Sequence, residues 1–228
     1  MVLLRAKSRG VTLVELSIVL AILGILIVVG ISGRSLIDIS RATATVEYLG
    51  NRSIAFQTFE TTYSCLPGDC ALTTVVGGAG SLNTNGVGNG NTKIEAFAAP
   101  INDEIGFVEE HFFKAQLFNR SVTVAAAAQN DLTKILPVAK VPGSYVSSLT
   151  VNSGMHHVIG GASATDVVNG NLVLYPAIFR IIDSKLDDGD ATQGSVLCST
   201  TAITAAATTT NATGYNAINA GCVLVSKV

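Results

Sequence analysis

Tryptophan is absent from the 228 residues, and charged side chains make up only 13% of them. No C-x-x-C is present, and no cysteine lies close to a histidine in sequence, which argues against zinc. Neither G-x-S-x-G nor H-E-x-x-H occurs, so no catalytic residue is assigned and no enzyme is expected. With 14 basic and 16 acidic residues the formal net charge is −2. A general nucleic-acid grip needs a basic surface, and this chain has none. His156 and His157 are adjacent. In a strand they would point to opposite faces, so they do not suggest a shared metal ion.

Proline is missing from the first 66 residues. What fills the start of that stretch is apolar. Residues 11–31 carry one charge, Glu15, behind a short basic leader of Arg5, Lys7 and Arg9 that ends in Gly10. As a helix, 21 residues span about 31 Å, the thickness of a hydrocarbon core. The positive-inside rule puts the leader in the cytoplasm and the rest, from about Arg34, on the far side. A cleaved secretory signal is a poor fit: the apolar run is too long and no A-x-A site follows it. A carboxylate inside such a span is costly, and it calls for a function and a partner.

Apolar residues continue past the span at Leu36, Ile39, Ala42, Val46, Leu49, Phe56, Phe59 and Tyr63. Steps of three and four mark one helix face, with a gap at Ser53. Arg41, Glu47, Arg52 and Glu60 fall on the opposite, solvent face. One helix over residues 12–62 is therefore expected, roughly 75 Å long. Its second half is amphipathic and needs a sheet to cover it. Further helices are expected at 103–118 and from Pro176 to about 185, the latter with Phe179, Ile182 and Leu186 inward. Strands are expected at 122–126, 145–151, 155–159, 195–198 and 222–226.

The basic leader, Gly10, V-T-L-V-E-L and the apolar helix resemble the class III signal of type IV prepilins and type II secretion pseudopilins. The resemblance implies an α+β, pilin-like fold: a long N-terminal helix packed on an antiparallel β-sheet head. It implies a leader over 1–10, a transmembrane and assembly segment over 11–33, and an extracytoplasmic head over 34–228. It also implies that prepilin peptidase cuts between Gly10 and Val11 and that Val11 is N-methylated. Phe is commonest at that position in the family, and this chain has Val. Glu15 becomes the fifth mature residue, where the family has its Glu. There it would face the new α-amine of a neighbouring subunit, cancel two charges that are expensive in lipid, and set axial register. The implied partners are other pilin or pseudopilin subunits, the peptidase and an inner-membrane assembly platform. The implied location is the inner membrane, single-pass, with the N-terminus cytoplasmic, and then a filament.

The head adds L-P-G-D at 66–69, G-N-G-N downstream, and I-D-S-K-L-D-D-G at 182–189. Together these resemble one branch of prepilin-like proteins. G-N-G-N is not a dinucleotide fingerprint, because no strand–turn–helix unit surrounds it. The four cysteines suit disulfides in an oxidising compartment. Three pairings are open, and closeness in sequence favours Cys65–Cys70 and Cys198–Cys222. Asp187, Asp188 and Asp190 crowd around Gly189 and could offer oxygens to Ca²⁺. The plainer reading of D-D-G-D is a turn after a helix. Asp69 is open to the same two readings. The alternative to a filament subunit is a membrane-tethered binding domain, Ca²⁺-dependent or not, that never assembles. No other cofactor is expected.

Overall fold

A single helix, α1 (Leu13–Tyr63), opens the computed structural model. The structure describes residues 10–70, 88, 90–95, 104–120, 135–151, 154–161, 175–199 and 223–227. After α1 come α2 (Glu104–Lys114), β1 (Tyr145–Val151), β2 (Gly154–Gly160), α3 (Pro176–Leu186), β3 (Val196–Ser199) and β4 (Val223–Lys227). The chain divides inside α1 into two units, Met1–Ser40 and Arg41–Val228. The expected strand at 122–126 lies outside the described residues.

In the first unit the described apolar side chains of residues 11–29 are all exposed, from Leu23 at 49% to Leu13 at 84%. A helix this long and apolar, with none of its apolar window buried, can cross a membrane. Two of its serine hydroxyls bond within the helix. Ser17 Oγ donates to the Val14 carbonyl at 2.8 Å, and Ser32 Oγ to that of Val28 at 3.0 Å. In lipid, a hydroxyl that finds its acceptor on its own backbone needs no other partner.

In the second unit β1, β2, β4 and β3 form one antiparallel sheet in that order. The later half of α1 packs on it in two clusters. Ala55, Phe56 and Phe59 meet Leu149, Val158 and, from α2, Val108 and Phe112. Ala42 and Leu49 meet Val146, Ile159, Val196 and, from α3, Ile178, Phe179 and Ile182. The fold is thus α+β, with the pilin-like arrangement that the resemblance implies. Both sheet edges are covered by the chain itself. Val146 N–H donates to the Pro137 carbonyl and Thr150 N–H to that of Ile94 along β1; Cys198 N–H donates to the Ala191 carbonyl along β3. Covered edges are a defence against pairing with other chains.

Three readings need correction. Arg52 is not on a solvent face: it is wholly buried. It lies three residues after Leu49 and four before Phe56, so it continues the inward stripe, and an ion pair with Glu109 makes that tolerable. Next, α2 stops at Lys114, not at 118. Gln116 adopts φ 58°, Gln116 N–H donates to the Phe113 carbonyl, and Leu117 N–H to that of Phe112. This left-handed cap turns Phe118 back onto Phe112, with ring centroids 5.4 Å apart. Last, Leu186 is exposed, because α3 ends there; Ile178, Phe179 and Ile182 carry its packing.

Candidate functional site

Gly10, Val11 and Thr12 precede the helix in irregular, exposed backbone. Thr12 is the N-cap. Its Oγ1 accepts from the Glu15 N–H at 3.3 Å, and the Glu15 carboxylate reaches back through Oε2 to the Thr12 N–H at 2.8 Å. The same Oε2 accepts the Thr12 hydroxyl at 2.9 Å. T-x-x-E is a capping box, which satisfies two backbone donors that a helix start leaves open. Its carboxylate also sits at the positive end of the helix dipole. The T-x-x-E spacing of Thr12 and Glu15 is a local signal that the sequence carries for this cap. The helix therefore begins immediately after the Gly10–Val11 bond and its cap.

The acidic group on α3 is not quite the one expected. Asp183, Asp187 and Asp188 bring carboxylate oxygens within 4.8 Å of one another, and Asp190 is not among them. Asp183 is buried, one helical turn before Asp187. Asp183 lies on the helix, four residues before the D-D-G-D loop, so closeness in sequence to Gly189 does not reveal it. Each exposed carboxylate already serves backbone. Asp187 Oδ2 accepts the Ser195 and Val196 N–H groups. Asp188 Oδ1 accepts the Asp190 N–H at 2.8 Å. Asp190 Oδ1 accepts the N–H and hydroxyl of Thr192 at 3.0 and 2.7 Å, which holds its carboxyl below the usual range. These are side-chain-stabilised turns. Three carboxylates could hold a divalent cation, but the hydrogen bonding is that of a turn.

The two head motifs meet. Cys65 and Cys70 are joined, closing L-P-G-D into a loop. Cys198 is disulfide-bonded too; Cys222 lies outside the described residues. Asp69 is 2% exposed, and its carboxylate is filled by backbone donors of the G-N-G-N stretch. Oδ1 accepts from Gly90 at 2.7 Å and Asn91 at 3.1 Å, and Oδ2 from Thr92 at 2.7 Å. Gly90 at φ 72° and Thr92 at φ 63° turn these N–H groups to one side, an anion-holding nest. A Cβ on Gly88 would collide with the Asp69 backbone, so only glycine permits that approach. Gly68, at φ 95°, is as constrained: a Cβ there would stand 2.6 Å from the Glu104 carbonyl oxygen.

The histidines are structural. Gly68 N–H donates to His111 Nδ1 at 2.9 Å, and the ring stacks on Phe59. Burial pushes His111 down to about 4, against the upward pull of Glu110. His157 lies between Ser148 Oγ at 2.9 Å from Nδ1 and Ser53 Oγ at 3.2 Å from Nε2. Arg52 Nε donates to Ser148 Oγ, so that hydroxyl's own hydrogen goes to Nδ1. Nε2–H then donates to Ser53, whose hydroxyl donates to the Leu49 carbonyl. Burial, and then the nearby Arg52 charge, hold His157 neutral. Ser53, the gap in the apolar stripe, is where this chain of bonds crosses α1. His156 turns away to the Gly154 carbonyl oxygen.

Residues 5–31 match the family model described as the prokaryotic N-terminal methylation motif, the class III signal of type IV pilins and pseudopilins. The match ends with the apolar segment and does not extend into the head. No curated protein and no solved structure matches the chain. The motif belongs to membrane-anchored, single-pass structural subunits that are processed by prepilin peptidase and assemble with other pilin subunits.

Proposed function

We propose that this chain is a structural subunit, pilin, minor pilin or pseudopilin, of a type IV pilus or a type II secretion-like filament. The observation that carries the reading is the join of motif and geometry at the N-terminus. A matched methylation motif ends in an exposed apolar helix, and that helix, capped by Thr12 and Glu15, starts at Leu13, two residues past Val11 at the Gly10–Val11 bond. Prepilin peptidase hydrolyses that bond on the cytoplasmic side and Val11 is N-methylated. The helix stays in the inner membrane, with the head extracytoplasmic, until an assembly platform draws the subunit into the filament. Subunits related by one repeated screw step make an open filament, not a closed ring. The role is packing, not turnover.

Intact mass and N-terminal sequencing of the membrane-extracted protein test this. The expected chain starts at Val11, carries one added methyl group, and is four hydrogens short for two disulfides. A chain that starts at Met1 sinks the reading and leaves a tethered domain that does not assemble.

A further inference from the structure

Residues 90–95 run from the Asp69 carboxylate to the side of β1 that faces away from β2. Gly90, Asn91 and Thr92 are held by Asp69. Ile94 then pairs with the edge: its N–H donates to Thr150 Oγ1 at 2.9 Å, and its carbonyl accepts the Thr150 N–H at 2.9 Å. Its side chain is fully buried in the cluster with Phe56 and Phe59. Glu95 N–H donates to the Glu104 carboxylate at 2.9 Å. This strap closes one end of the β1 edge. Its hook, Asp69, is the neighbour of Cys70 inside the disulfide loop, and the loop is seated on α2 through Gly68 and His111.

We propose that the Cys65–Cys70 disulfide and the Asp69 carboxylate form a redox-gated latch, which holds residues 90–95 over the edge of β1 only when the loop is oxidised. Closing a loop of so few residues removes much of its freedom, and opening it shifts the local equilibrium by roughly tenfold or more. Asp69 then loses the fixed position from which it meets three N–H groups, and Ile94 and Thr150 part. Cys70 is buried while Cys65 is half-buried, so the exposed side of the bond is Cys65. A dithiol opens it in two steps. One thiolate attacks Sγ of Cys65 and the Cys70 thiolate leaves; the second thiol then displaces Cys65. Two electrons and two protons pass to the chain, and the reductant leaves as its own cyclic disulfide. A newly made, reduced chain thus has this end of the β1 edge open; exchange with a disulfide, which leaves as the dithiol with the two electrons and two protons, forms Cys65–Cys70 and completes the edge. The latch does not depend on membership of a filament.

Hydrogen exchange on the full chain in detergent tests this. A dithiol does not by its chemistry distinguish Cys65–Cys70 from the disulfide of Cys198, so the variant Cys65→Ser/Cys70→Ser is the primary comparison. The expected result is exchange at least tenfold faster at Gly90, Asn91, Thr92, Ile94 and Thr150, with the β2–β4 amides unchanged. Asp69→Asn, which keeps the disulfide and the side-chain shape but weakens the hook, should accelerate the same amides. No acceleration in the cysteine variant overturns the latch. So does acceleration spread evenly over the head, which would make the disulfide a general brace. Strap amides unmoved by Asp69→Asn would remove the carboxylate as the hook and overturn it as well.

Discussion

Protonating His111 requires a hydrogen on Nδ1, the atom that accepts the Gly68 N–H. The ring is buried, so the fold holds it neutral down to about 4. An unfolded histidine takes its proton near 6.5. As pH falls, the unfolded chain therefore binds protons first. The stabilisation is complete above about 6.5, is lost steadily between about 6.5 and 4, and totals about 3 kcal/mol for this group. His157 acts in the same direction. Urea unfolding of the full chain in detergent should show lower stability at pH 5 than at pH 7. His111→Phe should make that slope shallower by up to about 1.4 kcal/mol per pH unit, the value for one full proton. An unchanged slope would mean that His111 is not held neutral.

Between elements, the Arg52–Glu109 pair joins α1 to α2 in the core, with the guanidinium 5.3 Å from the Phe112 ring centroid. Burial is the largest influence and opposes the charge on Arg52, but Glu109 and Tyr48 together outweigh it, so the guanidinium is held more firmly ionised than usual. Removing one member strands the other in an apolar setting. Arg52→Met should cost about 3–5 kcal/mol, whereas Arg52→Met/Glu109→Leu should recover most of that loss, because neither charge is then left alone. Denaturant midpoints for the two single variants and the double variant measure the coupling. Simple additivity would show that the pair does not act as a unit. The same pair marks where sequence reading stops. Leu49, Phe56 and Phe59 placed the inner face of α1 correctly, because apolar periodicity is a local signal. Arg52 sits on that face although its charge suits solvent, because that charge is tolerable only through Glu109, 57 positions away. The strands 145–151 and 154–160 and the helix from Pro176 were legible for the local reason. The cap at Gln116 and the meeting of Asp69 with 90–92 were not, because each is decided by what the chain folds back upon.

For the molecule as a whole, the proposed cleavage after Gly10 would change both length and charge. Loss of Arg5, Lys7 and Arg9 would take the formal charge from −2 to −5, and a new amine would appear at Val11, next to the capping box. On the proposed reading Glu15 then has two duties. Oε2 is taken by Thr12 of the same chain, which fixes the helix start. The charge is what a neighbour's amine requires. Glu15→Gln keeps an acceptor for the capping box but removes the charge; Glu15→Ala removes both. If assembly depends on cancelling charge inside lipid, both variants should be cut after Gly10 yet enter filaments at least tenfold less than wild type, since an unmatched amine there costs several kcal/mol. Counting subunits in sheared filaments against those left in the membrane gives the ratio. Near-normal incorporation of Glu15→Gln beside failure of Glu15→Ala would assign Glu15 to its own helix cap alone. Normal incorporation of both would leave the carboxylate without a part in assembly.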